Sequence, residues 1–238
     1  MNNGHHTMTR SSKPTPRSNP KPTAPSSDRR QRRSAELRER LFRAALALFG
    51  KKGFAETTVE DITEAADVGK GTFFNYFPSK DHILLAFGEM QLGKLEAAID
   101  AARRTNEPMP QFLRSLGVRM TQEPTRNPEI IRALLQAYLS TTPVREAMLD
   151  LQKRVQALHT EMIRLGQKQG AIRNDLPAEE IAYVFRQTIF GTLLIWSLYG
   201  DATLHSRIES AFNVLWTGLA PRPGGTRPQA ESSSLAGD

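Results

Sequence analysis

No cysteine occurs among the 238 residues. Disulfides, thiolate metal sites and cysteine nucleophiles are therefore excluded, and the composition suits a reducing cytosol. Aromatic residues make up only 7% of the chain, with two tryptophans. The N-terminus is polar and basic with no apolar stretch behind it, so no secretory signal is read there. The longest charge-free apolar run, 187–200, holds 14 residues, too few to cross a bilayer as a helix. A cytoplasmic protein without a membrane partner is expected. Segments alternating with period two and β-branched runs are both missing, which argues against a sheet. No metal-ligand spacing, Ser/His/Asp order or useful pair of carboxylates stands out, so neither a metal, a cofactor nor an enzyme activity is expected.

The net charge is +7, and its location matters more than its size. Residues 1–33 carry Arg10, Lys13, Arg17, Lys21, Arg29, Arg30, Arg32 and Arg33 against Asp28 alone. The remainder of the chain is neutral, so the whole excess lies in this segment. A basic arm beside a folded domain attracts phosphate; it also serves simply to keep a chain soluble. Rich in Pro, Ser, Thr and Asn and free of aromatics, 1–33 reads as disordered, with His5 and His6 incidental. Residues 221–238 read as a second disordered tail.

Between the tails the periodicity is helical throughout. Leu37, Leu41, Ala45, Leu48 and Phe49 mark one face of a first helix from about Ser34 to Gly53. Val59, Ile62, Ala65 and Ala66 mark a short second helix, with Thr57 or Thr58 as cap and Glu60 or Asp61 completing a capping box. Asp67, Val68 and Gly69 break the chain. A third helix runs from Lys70 to Phe77, and Ser79 caps a fourth that reaches about Arg104. Further helices are predicted near 110–122, 128–140, 143–169, 177–199 and 203–219. Pro108, Pro124, Pro128, Pro143 and Pro177 punctuate them near helix starts, where proline is tolerated.

The stretch 34–81 is the informative one. A supporting helix followed by two short helices and a tight turn is the helix-turn-helix layout. Val68 is placed to lock the two short helices, and small Ala65 and Ala66 let them approach. Phe73 and Phe77, four apart, should face Leu41, Leu48 and Phe49. Lys70, Thr72, Asn75 and Tyr76 then point outward, as donors and acceptors suited to base edges and phosphates. Helix N-termini, including the one at Thr57 and Thr58, offer free N–H groups to the same anions, and Lys80 is within reach of a phosphate. A phosphate-binding loop at Gly69-Lys70-Gly71-Thr72 is rejected: Gly71 follows the lysine where Ser or Thr is needed, and Glu64 stands at the upstream glycine position.

The run GFAETTVEDITEAADVGKGTFFNYFPSKDHIL closely resembles the DNA-binding domain of the tetracycline-repressor (TetR) family. The matching elements are Gly53-Phe54, Thr57-Thr58-Val59, Asp61-Ile62, Ala65-Ala66, Val68, Lys70-Gly71-Thr72 and the stretch from Tyr76 to Lys80. The match covers 34 to about 90. Two departures are visible. Phe74 stands where the family often has a phosphate-contacting tyrosine, and Gly69 where a serine cap is common.

The resemblance implies an all-α fold: a basic tail (1–33), a three-helix DNA-binding domain (34–80), a larger helical sensor and dimerisation domain (81–220), and a second tail (221–238). It implies a transcription regulator that binds a double-stranded DNA operator, most simply a repressor released by a small-molecule effector. An activator, or a helical interaction protein with weakened operator reading, is the alternative. The DNA-binding residues would be Thr57, Thr58, Lys70, Gly71, Thr72, Asn75, Tyr76 and Lys80, with Arg32 and Arg33 adding non-specific or minor-groove contacts. An effector cavity among the middle helices would draw on Phe112, Met120, Tyr138, His159, Met162 and Phe185, for each of which core packing is the competing role. The helix at 177–199 is apolar nearly all round and must be covered on both sides. The implied homodimer would use Ile189, Thr192 and Trp196 with Phe212 and Leu215 of the last helix. Effector binding would move the helix from Ser79 to Arg104 and change the spacing of two recognition helices held about 34–36 Å apart.

Overall fold

The computed structural model describes Met1 and residues 27–122, 127–139, 143–200 and 203–220. Most of the two tails, with His5 and His6, and Pro124 lie outside the described residues. Nine helices and no strands occur among the described residues: α1 (Ser27–Lys52), α2 (Val59–Ala65), α3 (Lys70–Phe74), α4 (Asp81–Thr105), α5 (Met109–Met120), α6 (Pro128–Leu139), α7 (Pro143–Lys168), α8 (Ala178–Tyr199) and α9 (Leu204–Leu219).

The chain divides into two compact units, 1–37 and 38–238. The first is seen as the exposed start of α1. Here the structure corrects the expected disorder up to residue 33, because 27–33 are helical. The last proline before this segment is Pro25. From there on, Arg, Gln, Ala, Glu and Leu dominate, all strong helix formers. A helix already nucleated downstream extends cheaply through such residues.

Within the second unit, α1 buries Leu41, Ala45 and Phe49 completely. It stops at Gly53, whose φ of 87° suits glycine and whose N–H donates to the Phe49 carbonyl at 3.0 Å, a glycine C-terminal cap. Thr58, not Thr57, is the N-cap of α2: its hydroxyl accepts from the Asp61 N–H, and the Asp61 carboxylate accepts from the Thr58 N–H. The cap expected of Ser79 is not formed. Lys80 occupies the cap position of α4 without a side-chain bond, and the Ser79 hydroxyl instead lies 3.0 Å from His82 Nδ1.

The first core cluster runs from Leu41 through Phe73, Phe77 and Phe87 to Ala133, Met148 and Leu151, and so includes residues on both sides of position 80. A second cluster joins α4, α5, α7, α8 and α9 around Met109, Phe112, Met162 and Phe185. A third, smaller one gathers Ile131, Trp196, Leu204 and Ile208. Among the described helices, α8 is the one long and apolar enough by length and composition to cross a membrane; one side of it is packed against α6, α7 and α9.

Gly88 lets α4 lie close against α7, because a Cβ there would overlap the Leu151 Cδ2. Leu151 is 2% exposed, and its Cδ2 must shift before a methyl at position 88 fits. Gly88→Ala is therefore expected to cost about 1–3 kcal/mol by overpacking, although alanine is the better helix former. A urea melt of the variant beside the parent checks this; an unchanged midpoint would mean that α4 and α7 part without strain.

Candidate nucleic-acid interface and buried cavity

The helix-turn-helix is held from behind by α1. Phe73 and Phe77 are buried against Leu41 and Phe49, with Leu48 half-buried beside them. The Phe73 and Phe77 rings lie 5.8 Å apart, and the Arg38 guanidinium sits 5.1 Å from the Phe77 centroid. The left-handed residue of the turn is Asp67, with φ 50°, rather than Gly69, which is extended. Arg40 secures this turn by donating to the Ala66 carbonyl and, at 3.3 Å, to that of Asp67. Val68 packs half-buried against the core. Gly69 caps α3 with no side-chain bond, as glycine must.

The outward side of this unit presents Lys70, Gly71, Phe74 and Asn75 as exposed residues, with Thr72 half-buried between them. Lys70 forms an ion pair with Glu60 of α2, and this pairing lowers the Glu60 carboxyl below its usual range. Asp61 is held well below the carboxylate range by the Lys52 ammonium first and by its bonds to Thr58 second. Tyr76 is half-buried and rests partly on the core, so it is less outward than the sequence suggests. The helix is also shorter, ending at Phe74, with Asn75 as its C-cap.

Two expected DNA contacts take other roles. Thr57 is fully buried, and its hydroxyl donates to the Gly53 carbonyl at 2.7 Å. The Lys80 ammonium donates to the carbonyls of Phe54, Ala55 and Thr57 at 2.8, 3.1 and 3.0 Å. It also lies 4.5 Å over the Phe54 ring. Lys80 thus closes the α1–α2 loop, because this ammonium is the donor that satisfies three loop carbonyls at once. Neither that role nor the one of Arg40 has a local sequence signal, since the partners lie 23–27 residues away. Thr58 remains exposed, though its hydroxyl is engaged with Asp61. Arg32 and Arg33 are exposed and project from a helix rather than from an extended arm.

A cavity of about 210 Å³ opens between α4, α5, α6, α7, α8 and α9. Met120, Tyr138, His159 and Phe185 line it, together with Phe87, Leu92, Gln91 and Gln152, which sequence reasoning missed. Phe112 and Met162 do not; both are fully buried in the second core cluster. Helical period alone cannot separate a residue facing a cavity from one facing a neighbouring helix. His159 is 8% exposed and its Nδ1 has no partner. Burial, and secondarily the Arg186 charge, pushes its pKa down to about 4.

The outer surface of α8 carries Val184, Ile195 and Leu198 at 46%, 54% and 57% exposure, with Val214 of α9 at 76%. Of the residues expected at a dimer interface, Ile189 and Trp196 are turned inward within the monomer. Trp196 is buried in the third core cluster and Ile189 lines the cavity. Phe212 and Leu215 pack half-buried on the second cluster. Thr192 borders a groove between α8 and α9.

The sequence model of the bacterial regulatory proteins of the tetR family matches residues 41–87. The transcriptional repressor KstR of Mycobacterium tuberculosis is 26% identical over 164 residues, which is 68% of this chain and 71% of that protein. The crystal structure of Thermus thermophilus FadR, a TetR-family repressor in complex with lauroyl-CoA, is 31% identical. It superposes with a TM-score of 0.60 over 79% of this chain and 100% of its own. The chain belongs to the TetR family. As a TetR-family protein it is a DNA-binding transcription regulator with an N-terminal helix-turn-helix and a C-terminal helical region. The EthR regulator of Mycolicibacterium smegmatis, 28% identical over 66% of this chain and 74% of its own length, agrees with this assignment.

Proposed function

We propose that this TetR-family protein is an operator-binding repressor that works as a homodimer and leaves DNA when a small molecule fills the cavity. The observation that carries the reading is the course of α4. Six residues separate it from the end of α3, and Phe87, Gly88, Gln91, Leu92 and Leu95 along it form a wall of the cavity. A ligand pressing on that wall pushes on the helix that follows the DNA-reading one. A second link is Asn127. Its Nδ2 donates to the Gly50 carbonyl at the end of α1 at 3.1 Å, while its Oδ1 accepts from the Glu129 N–H at the start of α6. Helix α6 lines the cavity through Ile131, Leu134 and Tyr138. A coupling of about 1–3 kcal/mol between the two sites suffices for regulation. The lauroyl-CoA complex of the FadR relative supports a ligand-bound state of this fold.

In this reading Thr58, Lys70, Gly71, Thr72, Asn75 and Tyr76 face the operator, and Arg32 and Arg33 add salt-sensitive attraction to phosphates. Fluorescence anisotropy on the upstream intergenic DNA against scrambled DNA, at several salt concentrations, tests it. Sequence-dependent binding that survives physiological salt supports site-specific regulation; equal, steeply salt-sensitive binding to both DNAs counts against it.

Gly71 offers a sharper check. Its backbone is not left-handed, and a Cβ there would meet nothing within 4 Å. The fold therefore has no use for glycine at this position, and alanine should stabilise α3 by about 0.5–1 kcal/mol. A methyl facing DNA would nevertheless obstruct close approach. Gly71→Ala is expected to raise the melting temperature by about 1–4 °C and to weaken operator binding by roughly tenfold or more. Unchanged affinity would remove Gly71 from the DNA face.

The dimer reading rests on the exposed stripe of Val184, Ile195, Leu198 and Val214. Apolar surface concentrated on two adjacent helices is unusual for a monomer, and two-fold operators are read by two-fold proteins. Ile195→Glu places two like charges near the symmetry axis and should yield a monomer in light scattering, with operator affinity lost in parallel. A variant that stays dimeric would move the interface elsewhere.

A further inference from the structure

We propose that the part of the effector held in the cavity is uncharged: a hydrocarbon body with one neutral oxygen, hydroxyl or carbonyl, that hydrogen-bonds to His159. This rests on the reading of the cavity as the effector site, and it names what that site selects.

The walls are built by Leu92 of α4, Leu116 of α5, Ile131 of α6, Val155 of α7 and Phe185 of α8. Among the described residues, no Lys, Arg, Asp or Glu lines the cavity. An apolar cavity of about 150 Å³ is enough for benzene, so this one takes a somewhat larger apolar body. The polar groups differ in how far they are already engaged. Tyr138 and Gln152 bond to each other at 2.6 Å. Thr121 donates to the Gly117 carbonyl at 2.8 Å. His159 alone among these combines near-complete burial with an unpartnered ring nitrogen. Its ring is fixed edge-on to Phe185 at 5.4 Å, so it is oriented without a hydrogen bond to hold it.

A buried polar atom left unpaired costs free energy, and a ligand oxygen that pairs with this imidazole recovers it. A carboxylate or phosphate in the same place would lose its hydration without meeting a cation. Arg186 donates to Gln156 at 2.7 Å and Gln152 at 3.4 Å, lies 5.5 Å from the Tyr183 ring centroid, and does not line the cavity. The shared chemistry has two sources: a free neutral lipid-like alcohol or ketone, or the acyl chain and thioester carbonyl of a carrier-linked acid whose charged carrier stays outside.

The test is titration calorimetry of the full-length protein at neutral pH with n-octanol, n-octanoate and octanoyl-CoA, on the parent, His159→Phe and His159→Gln. The phenyl ring keeps the packing on Phe185 and removes the hydrogen bond; glutamine restores a neutral hydrogen-bonding group. A thermal melt confirms that each variant is folded. The parent should bind n-octanol at least about tenfold more tightly than n-octanoate. His159→Phe should lose about tenfold for n-octanol, and His159→Gln should recover most of it. Tight binding of octanoyl-CoA that depends on His159 supports the proposal and points to the thioester source. The proposal is overturned if n-octanoate binds as well as n-octanol, if His159→Phe binds like the parent, if octanoyl-CoA binds tightly regardless of His159, or if none of the three binds. Operator anisotropy on the same mixtures separates the two readings. His159-dependent binding that leaves operator affinity unchanged supports the cavity chemistry and removes release by effector.

Discussion

Phe73→Ala is expected to destabilise the protein by about 3–5 kcal/mol and to abolish operator binding near body temperature. The magnitude follows from burial: the side chain is fully enclosed within the first core cluster, and truncating a buried phenylalanine removes its transfer free energy and leaves a cavity. The loss of function follows from helix length. α3 spans five residues, far below the length at which a helix persists alone. Its orientation is set by Phe73 and Phe77 resting on Leu41 and Phe49. Because that cluster continues through Phe87 to Leu151, the damage should appear as one shifted unfolding transition rather than as local fraying. Urea denaturation measures the first effect and anisotropy the second. Asn75→Ala is the companion. Asn75 is exposed, so its removal should change stability by no more than about 0.5 kcal/mol while still weakening operator binding. If Phe73→Ala stays within about 1 kcal/mol of the parent, the helix is anchored by something other than this ring.

The helices were legible wherever proline, glycine and apolar period agreed. Pro128 and Pro143 begin α6 and α7 as the punctuation requires, Pro177 caps α8, and Gly53 ends α1. Phe73 and Phe77 were legible because four-residue spacing on a short helix leaves one face to bury. The misassignments share a physical origin. Thr57 and Thr58 are chemically equivalent caps, and only the chain path decides that one is buried on Gly53 while the other meets Asp61. Lys80 looks like a phosphate contact because it lies beside a helix N-terminus, itself an anion site; three carbonyls from a loop more than twenty residues away claim it instead. Trp196 and Ile195 are adjacent on a helix apolar on nearly all sides. Which stripe turns inward depends on Ile131, Leu204 and Ile208, elements that periodicity in α8 does not report.

The cavity was the least legible feature, and its physical basis connects to the DNA-reading end. Leu92 and Leu95 of α4 are both almost completely buried. What makes them cavity walls is that the helices opposite are held off. Gly88 draws α4 onto α7 at one point, through contact with Leu151, while Gly117 and Met120 of α5 line the gap. The same helix thus touches α7 at Gly88 and faces the cavity from Phe87 to Leu95. Phe87 and Leu151 belong both to the cavity wall and to the core cluster that holds Phe73 and Phe77.

Between pH 6.5 and 4 the protein should lose about 3 kcal/mol of stability through His159 alone. Burial, with the Arg186 charge as the lesser cause, lowers its pKa to about 4 from the ordinary 6.5. In this window the unfolded chain takes up a proton that the folded protein refuses, so stability falls as pH falls. Above pH 6.5 both states are neutral and the contribution is complete; below 4 both are protonated and no further loss comes from this group. His159→Gln cannot titrate, so its stability profile should be flatter than the parent's by about 2–3 kcal/mol over the window, whatever the carboxylates contribute to both. Urea melts at several pH values supply the comparison. Parallel profiles would show that the imidazole is hydrated inside the cavity. A neutral His159 throughout the physiological range also means that its hydrogen bond to an uncharged ligand needs no proton to be added or removed.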